Sequence, residues 1–274
     1  ASDVYKRQAL DGLGLNRRQM LEYQEQVLMD CREERSSIVT GQMNLFGGES
    51  EAVRETPIPS LPELERSALL QLEHESLGLY LSGHPLEQSQ WLRQLCRATP
   101  AAALSEQPDG GKVLLIVTLQ HVKQHTTKKG ETMCFLTCED QSGSADCVVF
   151  PALYNSVKPY LQQDAVLYLR GKISQKENAV SVLCNSVLQE EAFFRTLPQG
   201  RLCVKIDSRQ TAELQQLLAV IGQHAGNVPV CFYLTDRKKM LSPRGGQAVA
   251  VNSESYAALC AVVSPEQVGF LPPA

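Results

Sequence analysis

From Lys112 onward the residue pattern changes its period, and that change limits the fold more than any other feature of the sequence. Lys112–His121 is dense in Val, Leu and Ile, and Gln124–Glu131 is a polar loop. Thr132–Glu139 alternates with period two, Gln141-Ser142-Gly143 supplies a turn, and Ala145–Phe150 reads as a third strand. Pro151 to about Gln162 fits a short helix, because proline is tolerated in a first helical turn. Ala165–Ile173 and Ala179–Leu188 then add two strands.

Few small folds place a single helix between a third and a fourth strand. The order predicts an OB fold over residues 110–190, a partly open five-stranded barrel. In the second strand Cys134, Leu136 and Cys138 share one face, and Met133, Phe135 and Thr137 share the other. The small and aliphatic set suits a barrel interior, which leaves Phe135 outward as a platform for a base. In the fourth strand Val166, Tyr168, Arg170 and Lys172 share a face in the same way, and the first loop carries Lys123, His125, Lys128 and Lys129. Aromatics beside a basic groove hold single strands with little sequence preference. The alternative is that Phe135 and Tyr168 are core residues and the lysines only solvate a loop.

The rest of the chain divides around this barrel into a multidomain α+β arrangement. Residues 1–35 read as the end of a helical hairpin; the absent initiator methionine and a first helix entered midway suggest a fragment of a longer protein, and Ala1–Gln8 is set aside as a leader. Gly12-Leu13-Gly14 gives a tight turn, and Asn16 with Gln19 forms a capping box ahead of a helix to about Asp30. Such a hairpin can turn backbone amides toward a DNA phosphate, with Arg17 and Arg18 adding charge; a plain helical hairpin fits equally. Residues 36–62 form a linker around Gln42-Met43-Asn44-Leu45-Phe46, flanked by glycines. Adjacent Leu and Phe in such a stretch suit a pocket on another protein, or else a loop folded back on its own domain. Residues 63–108 form a helical connector: one helix from Pro62 to about Leu81, stopped by Gly83-His84-Pro85, then a second over Leu86–Cys96 with Trp91 as core. Residues 200–274 alternate strands and helices as a small α+β domain with a basic turn at Asp236–Gly246.

Composition excludes several classes. A net charge of -4 argues against a protein that coats nucleic acid broadly and leaves only local basic patches. The nine cysteines are scattered without a Cys-x-x-Cys pair, which fits reduced thiols in a cytoplasmic protein better than a zinc site. No apolar run is long enough to span a membrane. No phosphate-cradling glycine loop, activated nucleophile or closely spaced acid pair is visible, so no catalytic or metal-binding residue is expected.

Several runs are distinctive together: Ala9-Leu10-Asp11-Gly12-Leu13-Gly14 before Asn16-Arg17, Gly41-Gln42-Met43-Asn44-Leu45-Phe46-Gly47, and Leu77-Gly78-Leu79-Tyr80-Leu81-Ser82-Gly83-His84-Pro85-Leu86. With Met133-Cys134-Phe135-Leu136-Thr137-Cys138-Glu139-Asp140 and Val148-Val149-Phe150-Pro151, the chain resembles the C-terminal region of the bacterial DNA polymerase III alpha subunit, a C-family replicative DNA polymerase. The resemblance implies a parent DNA-directed DNA polymerase that uses Mg2+, with its catalytic carboxylates upstream and no cofactor in this segment. It implies that Leu45 and Phe46 fill an apolar pocket of the sliding clamp while Gln42 makes polar contacts at its rim. It further implies single-stranded and primer-template DNA at the barrel, and a clamp-loader subunit at the last domain. The competing reading is a free-standing OB-fold module that binds single strands without polymerase activity; the Gln42–Phe46 run and the Gly-His-Pro run speak against it.

Overall fold

The computed structural model describes residues 14–39, 60–78, 80, 82–176, 179–243 and 245–273. The chain divides into two compact units, Ala1–His84 and Pro85–Ala274. The division falls inside the stretch read as a helical connector. The Gln42–Phe46 run and the Gly12-Leu13 turn lie outside the described residues.

In the first unit, α1 (Arg17–Val39) begins at the expected capping box. The Gln19 amide donates to the Asn16 side chain at 2.9 Å, and the Asn16 amide donates back to Gln19 Oε1 at 2.9 Å. The helix runs past Asp30 and into the stretch read as linker. The second helix, α2 (Arg66–Leu77), starts four residues after Pro62, so that proline is not in its first turn. It also ends sooner than predicted, at Gly78 in the left-handed region (φ 72°), whose amide bonds to His74 O at 2.8 Å. Ser82 then donates from both its amide and its hydroxyl to the fully buried Glu73 carboxylate, each at 2.9 Å. Tyr80 stacks on His74 and meets His84 edge-on. Tyr80, Ser82 and His84 are thus held against the end of their own helix rather than serving only as a stop.

The second unit opens with a short helix, α3 (Gln90–Leu95), and a 3-10 turn (Ala101–Glu106). Only the end of Leu86–Cys96 is helical. The barrel follows: β1 (Lys112–Thr126), β2 (Thr132–Asp140), β3 (Gly143–Val149), α4 (Pro151–Val157), β4 (Val166–Lys176) and β5 (Ala179–Leu188). It is closed in the order β1-β2-β3-β5-β4, with β3 and β5 parallel and the other neighbours antiparallel. The interior is lined by Leu115, Val117, Leu119, Cys134, Leu136, Cys138, Cys147, Val149, Leu167, Leu169 and Val182. The predicted inward face of β2 is therefore the observed one. A bulge at Gln120 interrupts β1, so that Leu119 and Val122 both stand at inward positions, opposite Cys138 and Leu136. The eight cysteines from Cys96 to Cys260 are free thiols, six of them buried. Burial pushes Cys134 up to about 11, and the hydrogen bond to Cys138 holds Cys147 well above the ordinary thiol value, so these thiols stay protonated at neutral pH.

After α5 (Glu190–Thr196), the chain builds a second sheet from β6 (Arg201–Ile206), β7 (Ala225–Leu234), β8 (Lys239–Leu241), β9 (Ala248–Val249) and β10 (Val268–Leu271). Its order is β10-β6-β7-β8, with β9 paired to β7. The parallel β6–β7 pair is joined through α6 (Thr211–Gln223), and α7 (Ser253–Val262) is capped by an Asn252–Ser255 box. The basic turn is in part a strand, β8, and β10 and α5 are elements the residue pattern does not mark. One continuous core joins Leu86, Leu92, Leu95, Ile116, Tyr168 and Phe193 to the apolar face of this sheet, including Val204, Val230 and Phe270. The outer face of β4 is thereby covered at Val166 and Tyr168.

Candidate nucleic-acid interface

Because β1 runs to Thr126, the first two strands form a long arm whose turn is only Thr127–Glu131. The Thr127 amide donates to Glu131 O and the Gly130 amide to Thr127 O, with Gly130 at φ 80°. Lys128 and Lys129 occupy this exposed tip. Lys123 and His125, placed in the loop by the sequence pattern, are instead exposed strand residues. The arm's register sets Lys123 opposite Phe135 and His125 opposite Met133. Residues opposite one another share a face, so the outward side of the arm collects Lys123, His125 and Phe135. Phe135 is 42% exposed, and the His125 ring stands edge-on to it at 6.2 Å. Toward the base of the arm the face turns acidic, with Glu139 bonded to Gln120 and Asp146 opposite Thr137. The favourable ground for a polyanion is thus the tip and middle of the arm.

The other predicted residues go elsewhere. Tyr168 is not a stacking platform: it is fully buried, stacked on Phe193 at 4.6 Å, 3.3 Å from the Ser89 hydroxyl and donating to Glu190 at 3.4 Å. Burial pushes its hydroxyl up to about 12. Arg170 lies over the same Phe193 ring at 5.2 Å and donates to Thr196, which makes it a staple between β4 and α5. The cause is α5, which covers the face of β4 that the strand period leaves outward. Lys172 is exposed, but it pairs with Lys112 at the start of β1, eleven residues along that strand from Lys123. In the first unit, Arg17 and Arg18, expected to add charge beside a phosphate, donate from their backbone amides to the Glu63 carboxylate at 3.0 and 3.1 Å. Although burial opposes it, the amides of Arg17, Leu64 and Arg18 hold the Glu63 pKa below the ordinary carboxylate value. The Arg18 guanidinium also pairs with Glu22.

Asp140, at the end of the Met133–Asp140 run, does more than close a strand. Its buried carboxylate accepts from the amides of Ala101, Ser142 and Gly143 and from the Ser142 hydroxyl, and it pairs with Arg93 of α3. Among the described residues no group of three or more His, Cys, Asp or Glu side chains could hold a metal ion. Among the described residues no helix is long and apolar enough to cross a membrane.

Comparison with known proteins agrees with the barrel. Residues 113–189 match the tRNA_anti-codon family, described as an OB-fold nucleic acid binding domain. DNA polymerase III subunit alpha of Bacillus subtilis is 29% identical over 240 residues, covering 85% of this chain and 21% of that protein. The subunit of the same name from Thermus aquaticus is 30% identical over 232 residues, covering 83% of this chain and 18% of that protein. The chain is therefore similar to DNA polymerase III subunit alpha across most of its length, and it spans about a fifth of the length of these relatives. Among solved structures, the mitochondrial single-stranded DNA-binding protein Rim1 of S. cerevisiae aligns with 30% of this chain and 97% of its own, at 11% identity and a TM-score of 0.27.

Proposed function

We propose that this chain is a non-catalytic segment of a replicative DNA-directed DNA polymerase, which holds single-stranded template DNA on the β1–β2 arm of its barrel. The observation that carries the reading is Phe135, an aromatic left 42% exposed beside His125 and Lys123, whereas Tyr168, the other aromatic within the five barrel strands, is buried. An exposed ring offers a base a π-face, and the lysines along the arm offer charge to the phosphates on either side. The similarity to the polymerase subunits supports the choice of DNA and of replication. In this reading primer extension with Mg2+ belongs to parts of the enzyme outside this chain.

The same reading attaches the segment to the sliding clamp through Gln42, Leu45 and Phe46. Its support is the chemistry of the motif, two adjacent apolar anchors behind a polar amide. The C-terminal sheet is proposed to meet a clamp-loader subunit, by the resemblance alone.

Charge reversal at the tip tests the DNA site. Lys128→Glu combined with Lys129→Glu should weaken binding of a single-stranded oligonucleotide and lower the salt slope by about 1.4, since each phosphate contact contributes roughly 0.7 on single strands. Titrations at several salt concentrations read both quantities. Unchanged affinity and slope would overturn the assignment of the tip.

A further inference from the structure

We propose that the cleft around Arg97, between α3 and the C-terminal sheet, is an anion site that takes a chain of phosphates. The helix α3 closes with the Ala98 amide bonded to Arg93 O at 2.9 Å and the Arg97 amide bonded to Gln94 O at 3.2 Å. That is the Schellman arrangement, and its pivotal residue sits in the left-handed region where glycine is strongly preferred. Here the pivot is Arg97, at φ 51°. A side chain kept where it strains the backbone points to a use for that side chain.

The surroundings supply the use. A cleft of about 800 Å³ is lined by Gln94, Arg97, Lys205, Ser264, Pro265 and Glu266, among others. A second, of about 450 Å³, shares Gln94 and Arg97 and continues to Gln141 and Ser142 at the β2–β3 turn. Arg93, on the wall of the second, is neutralised by Asp140. Among the described residues, neither Arg97 nor Lys205 has a carboxylate within ion-pair distance, although Glu266 shares their wall. Arg97 donates one Nη2 bond to the Glu266 carbonyl at 3.3 Å. A guanidinium has five N–H donors in a fork that matches phosphate, so most of its capacity is left. Two cations without ion-pair partners, with the Gln94 side-chain amide beside them, form a concave electropositive spot in a chain of net charge -4. The volume exceeds one phosphate and suits several in a row, either a free polyphosphate or the phosphodiesters of a strand.

This inference is independent of the arm as a DNA site, and the variants separate the two. Sodium tripolyphosphate should raise the melting temperature of the full chain. In Arg97→Gly its affinity should fall about tenfold or more, as expected for losing charge-assisted hydrogen bonds. That variant should melt no lower than wild type, because glycine relaxes the cap. Lys205→Gln, which leaves the cap alone, should weaken the same binding, and Lys128→Glu with Lys129→Glu should not. If Arg97→Gly also weakens a long oligothymidylate more than a short one, the phosphates come from a strand. If it weakens tripolyphosphate alone, they come from a free polyphosphate. An absent response in wild type, or an equal response in wild type and Arg97→Gly, would overturn the proposal.

Discussion

Replacing Asp140 with alanine should cost the Pro85–Ala274 unit about 3–5 kcal/mol, the scale on which a buried ion pair fails when one partner is removed. The carboxylate joins three segments: α3 through Arg93, the 3-10 turn through the Ala101 amide, and the β2–β3 turn through Ser142 and Gly143. Its side chain is 1% exposed and that of Arg93 15%, so the guanidinium left behind would be an uncompensated charge with little water to receive it. The three amides would lose their acceptor as well, each carrying a desolvation penalty of its own. A loss of that size in a unit this long corresponds to a melting temperature lower by roughly 10 °C. Thermal unfolding followed by circular dichroism reads it directly, and a fall of only a degree or two would show that the turn closes without the carboxylate. Asp140→Asn should fall between, since an amide oxygen can still accept from the backbone but no longer balances Arg93.

The second large effect concerns the clamp. If Leu45 and Phe46 are the anchors of the proposed contact, Leu45→Ala with Phe46→Ala should weaken binding to a sliding clamp at least a hundredfold, because truncating each apolar anchor of a small interface costs on the order of 2 kcal/mol. Gln42→Ala should cost less, as a polar group at a rim keeps part of its solvation. Surface plasmon resonance against immobilised clamp ring separates these outcomes. Full retention of affinity in the double variant would remove the clamp from the proposed function while leaving the barrel's role untouched. Single-strand binding should be the same in wild type and double variant.

The barrel was legible in the sequence because its signals are local. Alternation in Thr132–Asp140 separates inward Cys134, Leu136 and Cys138 from outward Phe135, and Ala179–Leu188 is bounded as the residue pattern predicts. The helix Thr211–Gln223 is equally well marked. What escaped depends on partners distant in sequence. The strand period shows that Val166, Tyr168, Arg170 and Lys172 share a face, but not that α5 and Phe193 lie across it. The amides at the start of α1 look available until Glu63, over forty residues away, is placed on them. The strands β8 and β10 are three and four residues long, too short to show a period. Arg97 gave no signal at all, since an arginine after a helix is unremarkable until its backbone is seen at φ 51°.

The central claim is that the outward face of the β1–β2 arm is where a single strand is held, with Phe135 as its stacking platform. The measurement that tests it most directly compares wild type and Phe135→Ala in fluorescence-anisotropy titrations with one single-stranded oligonucleotide at matched salt. Phe135 is exposed, so its removal should leave the melting temperature nearly unchanged. The account predicts a loss of about 1–3 kcal/mol, the cost of one base–aromatic stack, with the salt slope preserved because no phosphate contact is removed. Equal affinities for the two proteins would contradict it.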